Sequence, residues 1–319
     1  MESENPAASF FGGMLIEIFI ACILYGITTL QTFIYFQKYQ NDTPSLKFMV
    51  AVIWIIETAH TAFCMQLVYA YLVSNFGDFE YFLNINWSVG VTVITEVVIS
   101  TLVQAFYVRR VWIMSNKAKL LTIFMASVTV CRIGFGIGST ILSYHFGDWI
   151  SFRAHKSSLA TVSGGLGAAA LIDVLVALTL SYYLSRGRSS WHKSSNSKIN
   201  LIMLYAVNSG AITASASVLS VILYATQTDS LVFLGLVEIQ GKLYANSFLG
   251  SLNARSHIRN KNNNPAQYPS FEFSNNSAFR AVAPPVPKVE VYQQTIVTND
   301  MGEQENDFSM KNLKGGELV

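Results

Sequence analysis

Seven stretches of the chain are predominantly apolar, and each is long enough to cross about 30 Å of hydrocarbon at 1.5 Å of helix rise per residue. They cover 12–36, 48–73, 87–108, 120–144, 159–184, 199–224 and 230–252. All seven prolines lie outside these runs, so nothing in them kinks or stops a helix. After about residue 260 the apolar pattern ends, and Asn260-Lys-Asn-Asn-Asn-Pro265 and Pro284-Pro-Val-Pro287 follow. The predicted organisation is all-α: a short outer segment 1–11, a seven-helix membrane domain 12–252, and a tail 253–319 that is disordered from about 260.

Composition agrees with the pattern. Of 319 residues 51% are hydrophobic and only 13% charged, against about 25% charged in soluble domains. The segment before the first run carries Glu2 and Glu4 but no Lys or Arg. It lacks the basic start of a cleavable signal, so that run is expected to stay as a helix. The basic residues set the direction. Lys38, Lys47, Arg109, Arg110, Lys117, Lys119, Arg186, Arg188, Lys193, Lys198, Arg255, Arg259 and Lys261 fall on one side, and only Arg153 and Lys156 on the other. Thirteen against two predicts an outer N-terminus and a cytoplasmic C-terminus. Arg109, Arg110, Arg186, Arg188 and Arg255 are expected at the inner interface, with Arg255 ending the seventh helix. The sequons Asn41-Asp-Thr and Asn275-Asn-Ser then face the cytoplasm and stay unglycosylated. The expected partners are the lipid bilayer and a cytoplasmic protein meeting the inner loops and tail, with no nucleic acid. The expected location is the plasma membrane or another membrane of the secretory pathway.

Small residues supply the means of packing. Gly134, Gly136 and Gly138 lie in the fourth run, Gly164, Gly165 and Gly167 in the fifth, and Gly210, Ala214, Ser217 and Ser220 in the sixth. They let helices approach closely inside the bundle, with Gly134-x-x-x-Gly138 as an alternative dimer face. Cys22, Cys64 and Cys131 all lie within apolar runs and read as small buried apolar residues. The chain has the topology of rhodopsin-like receptors without their chemistry. No acid precedes Arg109, no Asn-Pro-x-x-Tyr closes the seventh run, and no cysteine pair ties the outer loops.

Against this background seven side chains stand out: Glu57, His60, Glu96, Arg132, Asp173, Glu238 and Lys242. Each charge at membrane depth costs about 2.5–3.5 kcal/mol, so such residues face the interior and pair, or mark a site. Glu238 with Lys242, and Arg132 with Glu96 or Asp173, are the expected pairs. Glu17 sits near the outer end of its run, where it is expected to reach water. Glu57-x-x-His60 is half of a di-metal helix signature with no second copy. His60 is also the one histidine at depth, so no metal, catalytic residue or cofactor is expected and no enzyme. Lys242 with Glu96 resembles the lysine and counter-ion of microbial rhodopsins, but the aromatic box and paired acids of those proteins are missing.

Several phrases occur together: Tyr25-Gly-Ile-Thr-Thr-Leu-Gln-Thr, Glu57-Thr-Ala-His-Thr-Ala-Phe63, Val103-Gln-Ala-Phe-Tyr-Val-Arg-Arg-Val-Trp112 and Lys242-Leu-Tyr-Ala-Asn-Ser-Phe-Leu-Gly-Ser-Leu-Asn-Ala-Arg255. Over about residues 12–260 the chain resembles a family of seven-helix membrane proteins of mushroom-forming fungi known only as a domain of unknown function. The resemblance implies a receptor-like topology and carries no ligand, substrate or site residue. The expected role is a receptor or sensor, with a secondary transporter or channel using the same acids as the alternative. A retinal protein through Lys242 is a third reading.

Overall fold

Every predicted run is a helix, and each helix passes its apolar stretch at one end or both. The computed structural model describes residues 6–187, 193–227 and 230–263. In chain order the helices are α1 (Pro6–Lys38), α2 (Pro44–Tyr69), α3 (Phe79–Leu83), α4 (Trp87–Met114), α5 (Lys119–Phe146), α6 (Trp149–Ala154), α7 (Lys156–Gly187), α8 (Lys193–Thr226) and α9 (Val232–Asn263). A wider π-type turn, Ala70–Ser74, continues α2. Among the described residues five spans are long and apolar enough to cross a membrane: Phe10–Lys38, Pro44–Ser74, Trp87–Met114, Lys119–Phe146 and Lys156–Tyr183. In α8 the apolar part is the shorter Gly210–Thr226.

Local chemistry sets the ends. Pro44 occupies the first turn of α2, where no N–H partner is needed. Asn86 caps α4 through the Ser88 N–H at 2.9 Å, and Asp148 caps α6 through the Ser151 N–H at 2.7 Å. Gly147 closes α5 at φ 71°, a left-handed conformation that favours glycine. Two boundaries differ from expectation. α4 carries Arg109 and Arg110 inside its last turns rather than after its end. α9 does not stop at 252; it runs through Arg255 to Asn263, because no proline occurs before Pro265. The tail from residue 264, Arg188 and the Arg186 side chain lie outside the described residues.

The long helices form a closed ring in chain order: α1 touches α2, α2 touches α4, and so on through α5, α7 and α8 to α9, which returns to α1. α4 and α9 also meet each other across the ring. Gly136 admits Val97 of α4 so closely that a Cβ would lie 2.6 Å from its methyl, and Gly138 faces Thr161 of α7. Those two glycines therefore serve packing within the chain, while Gly134 has nothing within 4 Å.

The distribution of polarity is inverted relative to a soluble protein. Ile23 is 67% exposed, Leu178 64% and Ile141 61%, whereas Glu57, His60, Glu238 and Lys242 are 0% exposed. Apolar side chains turned outward over polar ones turned inward is the character of a membrane protein. Two apolar clusters hold the interior. One gathers Phe11, Met14, Leu67, Tyr71, Phe152 and Leu234; the other gathers Ile53, Ile99, Val103, Ile172, Tyr244 and Phe248. On α2, α4 and α9 the charged side chains fall between the segments that feed these clusters, so a polar layer lies between two apolar ones.

At the end of the bundle that holds the α1–α2 connection, Arg255 clasps Asp42 at 2.6 Å and lies over the Tyr39 ring at 4.6 Å. Tyr35 donates to Asp42 at 3.0 Å. Tyr35 is fully buried, and Arg255 ties α9 to the α1–α2 connection rather than ending the helix. Partial burial pushes the Asp42 carboxyl upward, but the bonds from Arg255 and Tyr35 outweigh it and hold the group below the usual carboxylate value. A carboxyl depressed in the folded state adds stability that is complete above about pH 3.9 and disappears as pH falls through its folded pKa. Melting temperatures measured between pH 6 and 3 should therefore fall more steeply at the acid end in wild type than in Asp42→Asn. Parallel curves would refute the clasp.

Candidate functional site

The seven side chains singled out by their cost come from α2, α4, α5, α7 and α9, and the fold sorts them into three groups. The first joins α2 to α9. Lys242 Nζ lies 2.5 Å from Glu57 Oε2 and donates to Thr61 Oγ1 at 2.7 Å. It also lies 3.0 Å from His60 Nδ1. An ammonium only donates, so Nδ1 accepts and the single proton of a neutral His60 sits on Nε2. That nitrogen lies 3.0 Å from Glu238 Oε2, a contact off the line of a hydrogen bond. Glu238 is also held by Thr92 Oγ1 at 2.7 Å and Cys64 Sγ at 3.1 Å.

The expected Glu238–Lys242 pair is thus not what forms. One turn of helix separates the two, but each side chain reaches across to α2, where Glu57 and His60 complete the alternation of acid and base. Cys64 is correspondingly more than an apolar filler, since its thiol donates to Glu238, and Cys131 is exposed rather than buried.

In the second group Arg132 of α5 meets Glu96 of α4 at 2.8 Å, one of its two expected partners. Its guanidinium also lies 5.4 Å from the centre of the Tyr244 ring. The third group is Asp173 of α7, which accepts from Tyr244 Oη at 2.7 Å and from Gln104 Nε2 at 3.5 Å. Arg132 makes no ion pair with Asp173 among the described residues. A cavity of about 20 Å³ lies against Asp173, bounded also by Gln104, Tyr107, Gly210, Thr213 and Tyr244.

Reasoning from charge missed the neutral partners. Thr92, Gln104, Gln240 and Tyr244 are each under 4% exposed, and Gln240 Nε2 donates to Ser217 Oγ of α8 at 2.6 Å. The signal was available, because a buried amide or phenol in hydrocarbon also needs a partner. Glu17 is half-buried, and its Oε2 lies enclosed against Gly235 without a hydrogen-bond partner.

Of the groups present, His60, Cys64 and Glu238 could offer a metal three ligand atoms within 4.8 Å of one another. This is a different set from the Glu57-x-x-His60 half-signature. The Lys242 ammonium beside His60 Nδ1 opposes it, both by its charge and by fixing the proton on the nitrogen that faces Glu238. Lys242 itself is fully enclosed by Glu57, His60 and Thr61, which a carbonyl condensing at Nζ would have to displace. Arg109 is exposed and Arg110 half-buried, so of the basic residues expected at the inner interface Arg255 has the best-defined contact.

Residues 169–257 match the model of a "Family of unknown function (DUF6534)". The match begins within α7, covers α8 and ends in α9, so it includes Asp173, Glu238, Lys242 and the Lys242–Arg255 phrase. No curated protein and no solved structure matches the chain.

Proposed function

We propose that the chain is a seven-helix membrane receptor or sensor whose long helices all span the bilayer. The N-terminus lies outside and the C-terminus in the cytoplasm, in a plasma-membrane or secretory-pathway setting. α8 and α9 complete the seven, lying in the same closed ring as the five apolar spans. The wider set of phrases, from Tyr25 to Arg255, supports a place among the fungal seven-helix proteins that the sequence resembles. The thirteen basic residues against two support the orientation.

One observation carries the receptor reading: each buried ionisable group bridges two helices, and α9 takes part in three of the contacts. Glu57 and His60 of α2 hold Lys242 and Glu238, and Asp173 of α7 holds Tyr244. Such bonds fix one register of α9 against its neighbours, and a ligand that replaced one of them would release a different register. That is the two-state element that signalling across a membrane requires. The Asp173 cavity favours the second reading, a transporter or channel using the same acids.

Proteoliposomes distinguish the two. The receptor reading expects no ion-coupled flux above empty vesicles, and no difference between wild type, Glu96→Gln and Asp173→Asn. Flux present in wild type and lost in either variant would replace it with transport. Glycosylation mapping tests the orientation separately: a glycan on Asn41 would invert it.

A further inference from the structure

Arg132 and Lys242, deep in the bundle, each meet an acid. The corner where α4 turns into α5 is different. Between Glu96 and Asp148 the chain holds no Asp or Glu, yet it carries Arg109, Arg110, Lys117 and Lys119 at that corner. Among the described residues no acid lies at ion-pair distance from any of the four. Asp42, in the α1–α2 connection, is already clasped by Arg255.

Arg109 makes the strongest demand for a partner. It is exposed, and so are Ala105 and Ile113, one turn to either side on the same face of α4. It stands about 7.5 Å of helix rise inside the end of α4 at Met114. Ile113, 65% exposed, therefore lies between it and that end. A guanidinium on such an apolar, outward-facing stripe extends along its stem toward the interface to find a counter-charge. On α5 the pattern repeats: Lys119 is exposed in the first turn, Leu120 beside it is 85% exposed and Ile123 65%.

The connection that carries the lysines is held in one shape. Asn116 and Lys117 both take the left-handed conformation, at φ 52° and 64°, which a residue with a Cβ adopts only where its surroundings hold it. Here the Lys117 N–H donates to the Trp112 carbonyl at 3.0 Å, and the Ala118 N–H to the Ser115 hydroxyl at 3.3 Å. Lys117 and Lys119 thus project from a fixed turn. A soluble anion would use these bases but gain nothing from Ile113 and Leu120. A cytoplasmic protein would have to enter a surface that continues into exposed Phe124 and Val130 of the span Lys119–Phe146. An anionic phospholipid uses both features, the headgroup meeting the bases and the acyl chains the apolar side chains.

We propose that the α4–α5 corner binds one anionic phospholipid. Arg109, Lys117 and Lys119 hold its headgroup, and its acyl chains lie along Ile113, Leu120 and Ile123. This goes beyond the receptor reading and does not depend on it. The orientation proposed above places the lipid in the cytoplasmic leaflet, where anionic phospholipids are concentrated. Binding in detergent is independent of that orientation.

Native mass spectrometry of the purified full chain in neutral detergent, with phosphatidylserine and phosphatidylcholine added in equal amounts, tests the site. One phosphatidylserine is expected to be retained, about tenfold or more tighter than phosphatidylcholine. Arg109→Gln with Lys119→Gln is expected to weaken it about thirty-fold, at about fivefold for each base. Arg110 and Lys117 stay in that variant, which keeps basic charge at this end to direct insertion. Lys38→Gln with Lys156→Gln removes as much charge from exposed positions elsewhere and is expected to bind as wild type does. Leu120→Ser keeps every base and is expected to weaken the lipid several-fold, which decides the matter should the Arg109–Lys119 variant fail to fold. Equal retention of the two lipids, undiminished retention in the Arg109–Lys119 and Leu120 variants, or the same loss in the Lys38–Lys156 control overturns the site. Displacement of the lipid by equimolar glycerophosphoserine would assign the corner to a soluble anion and overturn it too. So would a protein that co-purifies with wild type in place of lipid and is lost from the Arg109–Lys119 and Leu120 variants. The receptor reading stands or falls separately, on its flux test.

Discussion

Lys242→Met is expected to destabilise the protein by about 3–5 kcal/mol, and adding Glu57→Gln to recover most of that loss. Lys242 is 0% exposed, and its ammonium supplies Glu57 Oε2, Thr61 and His60 Nδ1 at once. Glu57 Oε1 already lacks a hydrogen-bond partner, so removing the lysine leaves the carboxylate with no donor at all in a dry interior. The carboxyl would have to take up a proton or draw water into the bundle. Removing both charges avoids either outcome, because a buried ion pair exchanged for uncharged groups of similar volume is often close to neutral. Titration with a denaturing detergent, followed by helix content, gives the four corners of the cycle. Single and double effects that simply add would show that the two residues do not act together.

Arg132→Met should cost a similar amount for a different reason. Arg132 is 4% exposed, and its removal leaves Glu96, also 4% exposed, without its ion pair while taking a cation from the face of Tyr244. Tyr244 in turn holds Asp173, so the disturbance passes from the α4–α5 contact to α7 and α9. Arg132→Lys restores the charge but not the planar guanidinium that serves carboxylate and ring together, so it should rescue only part of the loss. Cys131→Ala, one residue away on an exposed face, is the control. If Arg132→Met unfolds no earlier than Cys131→Ala, the pair carries no stability.

The seven helices were legible because a long apolar run has few alternatives, and their ends were not. Apolar length measures hydrocarbon, whereas a helix continues while its backbone bonds continue. α9 passes from Leu252 through Asn253, Ala254 and Arg255 without interruption. α3 and α6 are too short to leave a period, and they depend on the Asp78 and Asp148 caps.

The charged residues at depth were legible by their cost. Their partners were only partly so. Arg132 with Glu96 follows from one base and a nearby acid, but spacing along α9 favoured Glu238 with Lys242. What decides the pairing is which face of α2 turns toward α9, and one helix's periodicity does not hold that information. Gln104 and Tyr244 escaped because they carry no charge, although burial makes the same demand of them for a partner.

The partners of α9 also bear on the order of its making. Its inward-facing polar side chains are answered from helices that come earlier in the chain: Glu238 and Lys242 by α2, Gln240 by α8, Tyr244 by α7, and the half-buried Asn246 and Asn253 by carbonyls of α1. A ribosome releases those helices first, so Glu57 must wait in the bilayer without its counter-charge until α9 emerges. The half-made bundle then displays unpaired acid and histidine, the kind of surface that insertion machinery retains and proteases remove. On the seven-span reading proposed above, entry of the least apolar of the long helices is thereby coupled to completion of all the others.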